Sequence, residues 1–232
     1  MSHRINLEEI DADGAVREAA GAVAGDTRLD FLKKAGIAGG TLVSGGAVIS
    51  ALAPSAVAAT HRGRPPKSFG KGDYGILNYA LTLEYLEAAF YNGATAANLS
   101  LSPQAAAFLK VVTRDENAHV SFLKSALGRK AISAPKFDFK GANTNAETFM
   151  KTSQVLENTG VHAYLGQVTN IENVKYVKAA GSILTVEARH ASVIGLLNEP
   201  GGAAITPNGP FDTPLTAAEV LKAVKETGFI EG

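Results

Sequence analysis

Apolar residues recur every three to four positions along four stretches of the chain, and each stretch is bounded by capping or breaking residues. The first runs from about Asp73 to Asn98, with Leu77, Ala80, Leu81, Ala88 and Tyr91 on one stripe and Asp73 placed to cap it. The second opens at Ser102-Pro103, a cap followed by proline at the first helical position, and stops at Gly128; its stripe is Leu109, Val112, Val120, Leu123 and Leu127. The third opens on a capping box, Thr144-Asn145-Ala146-Glu147, and continues to about Asn170. The fourth runs from about Glu172 to Asn198, with Ile183, Leu184, Ala191 and Ile194 on one face, and Pro200-Gly201-Gly202 ends it. A Pro/Gly-rich loop and a short helix from a Thr216/Glu219 capping box to about Thr227 complete the chain. No segment alternates with period two, so no sheet is expected. These patterns predict an all-α four-helix bundle with a short C-terminal helix. The polar connector from Arg129 to Asn143 could reach about 45 Å when extended, enough to cross the length of a bundle.

The residues before the first helix read differently. Residues 1–59 are taken as a targeting segment, 60–72 as a Pro/Gly-rich basic linker and 73–232 as the folded domain. Thr27-Arg28-Leu29-Asp30-Phe31-Leu32-Lys33-Lys34 precedes a weakly apolar, glycine-rich run from Ala35 to Ala53, and Ala56-Val57-Ala58 offers a cleavage site after Pro54. This architecture resembles a twin-arginine export signal, with Leu29 standing where the second arginine belongs. It implies a protein exported to the periplasm or the extracellular space, with no membrane association after processing. The formal net charge of +0 gives no steering toward nucleic acid, and the absence of cysteine excludes disulfides and thiolate metal sites.

Charged residues inside the apolar stripes carry the chemistry. Glu84 lies one heptad from Leu77 and from Tyr91. Glu116 and His119 lie between Leu109 and Leu123. Glu157 lies one heptad from Met150 and from Tyr164, and Glu187 and His190 lie between Leu184 and Ile194. Each helix thus turns a carboxylate inward, and the second and fourth add a histidine at i+3 on the same face. Four buried carboxylates would take up protons unless cations balance them, and the stripes hold no matching set of lysines or arginines. Two divalent cations would balance the charge, and two imidazoles would complete the shell. Carboxylate and imidazole together suit iron or manganese, with zinc as a further option, better than calcium. Glu87 also falls near the inward face and is an alternate or additional ligand. Tyr91 and Tyr164 are hydrogen-bond partners of the ligands or radical sinks, or else they fill core space. Asp115 either orients His190 through its outer nitrogen or lies on the surface. His162 sits off the Glu157 face, and His3 and His61 lie in or beside the targeting region.

The order of these motifs is a near repeat, and their wording is specific. Leu83-Glu84-Tyr85-Leu86-Glu87-Ala88-Ala89-Phe90-Tyr91, Glu157-Asn158-Thr159-Gly160-Val161-His162-Ala163-Tyr164-Leu165-Gly166 and Glu187-Ala188-Arg189-His190-Ala191 resemble exported bacterial ferritin-like domain proteins related to plant desiccation-related proteins. The resemblance covers about Gly72 to Phe229. It implies a ferritin-like four-helix bundle with one long crossover connection and a dimetal centre of two iron or two manganese ions. The chemistry expected of such a centre is redox, on O2, peroxide or Fe2+, as in a ferroxidase or a manganese catalase. The alternative is a non-catalytic stress or desiccation protein stabilised by its metals. An iron-storage cage ranks last, because the tail offers a proline-rich loop and a short helix. The expected partners are metal ions and O2 or peroxide, with a homo-oligomer as a further expectation.

Overall fold

The computed structural model describes residues 63–202, 205–206 and 209–231. The segment read as an export signal lies outside these residues. Among the described residues the four apolar stripes form α1 (Gly72–Ala96), α2 (Pro103–Leu127), α3 (Ala146–Val168) and α4 (Val174–Asn198). The C-terminal helix is α5 (Ala217–Thr227). None of these helices is long and apolar enough to cross a membrane.

The caps show where local signals yielded to tertiary ones. Ser102 caps α2 by accepting the N–H of Ala105, and the Thr216/Glu219 capping box forms at α5. Asp73 does not cap α1, which starts one residue earlier behind Lys71. Its carboxylate instead accepts the N–H groups of Glu172 and Asn173, at the entrance to α4. The box expected at Thr144 is displaced by one residue: Asn145 caps α3 and accepts the N–H groups of Glu147 and Thr148.

Hydrogen bonds fix the topology. The Asn78 side chain, near the start of α1, donates to Lys130 O and accepts the N–H of Ile132, so the crossover begins there. Asn143 donates to Phe90 O, so the crossover ends about 18 Å further along α1. The connector therefore runs the length of the bundle, α3 lies antiparallel to α1, and its C-terminal end returns to Asp73. Packing is closest within the pairs α1–α2 and α3–α4. Two elements of two residues each, β1 (Lys136–Phe137) and β2 (Ile230–Glu231), pair antiparallel and tie the crossover to the C-terminus. Strands this short carry no readable period, so the expectation of no sheet misses them.

α1 is buried nearly all round, as expected of a helix covered by α2, α3 and the returning chain. The apolar core falls into two clusters. One gathers Phe90, Tyr91, Phe108, Phe149 and Ile194 with Val220 and Val224 of α5. The other gathers Ile76, Leu77, Leu81, Leu123, Leu127, Tyr164 and Ile183. Residues 63–70 dock on the bundle, with Gln167 donating to Gly63 O and Arg64 to Asn170 O.

Candidate metal centre

Between the two apolar clusters lies a layer of carboxylates and imidazoles. Glu84 from α1, Glu116 from α2, Glu157 from α3 and Glu187 from α4 are all fully buried. His119 and His190 follow one turn after Glu116 and Glu187 and retain side-chain exposures of 12% and 7%. All six residues come together, in two overlapping groups: Glu84, Glu116, His119 and Glu187, and Glu116, Glu157, Glu187 and His190. Within each group one donor atom per residue lies within 4.8 Å of every other.

The distances describe convergence on a point rather than pairing. His119 Nδ1 is 3.2 Å from Glu84 Oε2, 3.2 Å from Glu116 Oε2 and 3.1 Å from Glu187 Oε1. One imidazole nitrogen carries at most one proton and cannot donate to three oxygens. His190 Nδ1 is 3.1 Å from Glu116 Oε1 and 3.2 Å from Glu157 Oε2. That nitrogen, both of those oxygens and both oxygens of Glu187 are buried without a hydrogen-bond partner. Unpaired buried polar atoms are costly and rare. Donors about 2.1 Å from a shared cation stand about 3.0 Å apart in an octahedron and about 3.4 Å apart in a tetrahedron. The observed separations fall in that interval, so the donor set fits a metal.

The tyrosines decide which oxygen each terminal carboxylate presents. Tyr164 O–H donates to Glu84 Oε1 at 2.5 Å, leaving Oε2 toward His119. Tyr91 O–H donates to Glu157 Oε1, leaving Oε2 toward His190. Each tyrosine thus serves the carboxylate of the other helix, not the one a heptad away on its own. Glu116 behaves differently and sends one oxygen toward each histidine. Asp115 Oδ2 lies 3.3 Å from His190 Nε2, while Asp115 Oδ1 accepts from the exposed Arg114.

Electrostatics follow from the crowding. Burial, then the charge of Glu84, pushes the Glu116 carboxyl up to about 7. Burial and the Glu116 charge hold Glu187 well above the ordinary carboxylate range. Burial alone would lower His119, but Glu116, Glu187 and Glu84 outweigh it and raise the imidazole. Burial likewise opposes Glu116 and Glu157 at His190, which rises to about 11. The cluster thus gathers protons as it would gather any small cation.

Glu87 is buried but joins neither group. Burial, then the charges of Glu187 and Glu116, holds its carboxyl well above the ordinary range. It faces Gly160 on α3, where an added Cβ would lie 2.9 Å from Glu187 Oε2 and 3.3 Å from Glu87 Oε1. Gly160 is the residue that reading the stripes passes over. Aligning the two halves of the chain would have found it, because it occupies on α3 the position that Glu87 holds on α1. His162 is outside the cluster and half-buried, with burial lowering its pKa.

Comparison with protein families adds one match. A family model described as the ferritin-like domain matches residues 72–199, from the first residue of α1 to the residue after α4 and more than half of the chain. Comparison with curated proteins finds no match.

Proposed function

Because the chain belongs to the ferritin-like domain family, we propose that its buried layer is a dinuclear iron or manganese centre that carries out redox chemistry on O2, peroxide or Fe2+. The observation that carries this reading is Glu116, whose two oxygens reach one histidine each and so link two four-residue donor sets. In this reading Glu84 and His119 would hold one cation and Glu157 and His190 the other, with Glu116 and Glu187 within reach of both. Two redox-active cations a few ångströms apart would supply two-electron exchange with a small oxidant.

The protein's own groups do the rest. Tyr91 and Tyr164 fix the terminal carboxylates so that each offers a single oxygen. Asp115 takes the outer N–H of His190 and keeps Nδ1 free as a donor. The apolar clusters on either side keep water from the layer and strengthen its electrostatics. The histidines are the least buried members, so small solutes would enter between α2 and α4. The near-complete enclosure of all six side chains favours a second reading, metals that stabilise the bundle without turnover. The signal-like sequence before the bundle, with Arg28, Phe31-Leu32-Lys33 and the glycine-rich run after it, supports export in either reading.

Metal content and oxidant consumption separate these readings. Iron, manganese and zinc are quantified in the protein and in the double variant Glu116→Ala, Glu187→Ala, and O2 and peroxide consumption is followed on the same samples. Close to two metals per chain with turnover, both lost in the variant, is expected. Two metals without turnover supports the stabilising role, and less than one metal per chain under replete conditions refutes both.

A further inference from the structure

The six candidate ligands repeat across the two halves of the bundle, but their surroundings do not. Glu84, Tyr91, Glu116 and His119 correspond to Glu157, Tyr164, Glu187 and His190, and the tyrosine bonds cross symmetrically between the halves. Two correspondences fail. Glu87 answers to Gly160, and Asp115 answers to Val186.

The first difference does not distinguish the two halves. After burial, the charges that bear most on Glu87 are those of Glu187 and then Glu116, the carboxylates common to both donor groups. The second difference belongs to one half alone. His190 has Asp115 Oδ2 at 3.3 Å on its outer nitrogen, and Arg114 steadies that carboxylate through its other oxygen. Every hydrogen-bond or ion-pair partner of His119 among the described residues is on Nδ1. A carboxylate on the outer nitrogen of a metal-bound histidine fixes its tautomer and raises its basicity, an effect worth about 10–100-fold in affinity.

We infer that the two metal positions are unequal, with Asp115 acting as a positioning residue that makes the Glu157–His190 position the tighter one and the first to fill. This rests on the dinuclear reading above. The Glu84–His119 position, with Val186 where its counterpart has an aspartate, fills second. The protein would then hold a half-loaded state with one cation beside His190 over a range of metal concentration.

Titration of Mn2+ into the chelator-treated full chain tests it, with binding followed calorimetrically and the half-loaded protein crystallised for anomalous diffraction. Two steps separated by about 10–100-fold are expected, with the first cation beside His190. Asp115→Asn should weaken the first step and close the gap. Val186→Asp should close it from the other side by tightening the second step, which a merely structural role for Asp115 would not predict. Two cations bound in one unresolved step, first occupancy beside His119, or a gap unchanged in both variants overturns the inference and leaves the dinuclear reading standing. Fewer than two cations at saturation overturns both.

Discussion

Replacing Glu116 by glutamine should stabilise the metal-free protein increasingly as pH rises and destabilise the metal-loaded one. The substitution keeps the shape of a fully buried side chain and removes its charge. Burial and the neighbouring Glu84 raise this carboxyl from 4.5 to about 7. A group that binds its proton more tightly folded than unfolded stabilises the metal-free protein fully below about pH 4.5, and that contribution is lost as pH rises through about 7. The displacement corresponds to roughly 3 kcal/mol between pH 4.5 and pH 8. Glutamine does not titrate, so in chelator Glu116→Gln should gain roughly 3 kcal/mol on the native protein over that interval, or about 6–12 °C in Tm. Excess metal reverses the ranking. Two cations, each at a hundredfold excess over its Kd, stabilise by about 5.4 kcal/mol together, more than the gain in chelator, and the variant has lost the carboxylate that spans both positions. Urea denaturation at pH 4.5, 6 and 8, in chelator and in Mn2+, measures all of these terms. A pH-independent difference in chelator would refute the electrostatic reasoning, and equal stabilisation of both proteins by Mn2+ would refute the ligand role.

Three further outcomes follow from the geometry. Tyr91→Phe and Tyr164→Phe each strip a hydrogen bond from a buried carboxylate, so matched losses of about 1.5–3 kcal/mol in urea denaturation are expected, with weaker metal binding in both. Gly166→Ala would set a Cβ 1.8 Å from Leu215 O, away from the cluster; it should destabilise by about 1–3 kcal/mol or more while leaving metal stoichiometry unchanged. Because Glu116, Glu187 and both histidines hold protons tightly, metal uptake should release protons and tighten from pH 6 to pH 8, which calorimetry in buffers of different ionisation enthalpy will register.

The helices and the inward-facing glutamates are legible in the sequence because a helix has a fixed period, and a charge inside an apolar stripe stands out against it. What the sequence cannot give is the partner across the bundle. Tyr91 and Glu84 share a stripe but lie about 10 Å apart along the axis, so the carboxylate a tyrosine reaches is set by the neighbouring helix. Asp73 reads as a cap for its own helix and serves another, because the returning end of α3 brings the N–H groups of Glu172 and Asn173 to it. Glu87 competes with Glu84 in the sequence because both fall near the inward face. The bundle separates them, turning Glu84 toward His119 and Glu87 toward the gap at Gly160.

On the proposed function, one layer of this bundle would hold two cations between shared glutamates. Anomalous diffraction from crystals saturated with Mn2+ tests it most directly. Two peaks about 3.5–4 Å apart are predicted, one among Glu84, Glu116, His119 and Glu187 and the other among Glu116, Glu157, Glu187 and His190. A single peak, or peaks only at surface carboxylates, would contradict it.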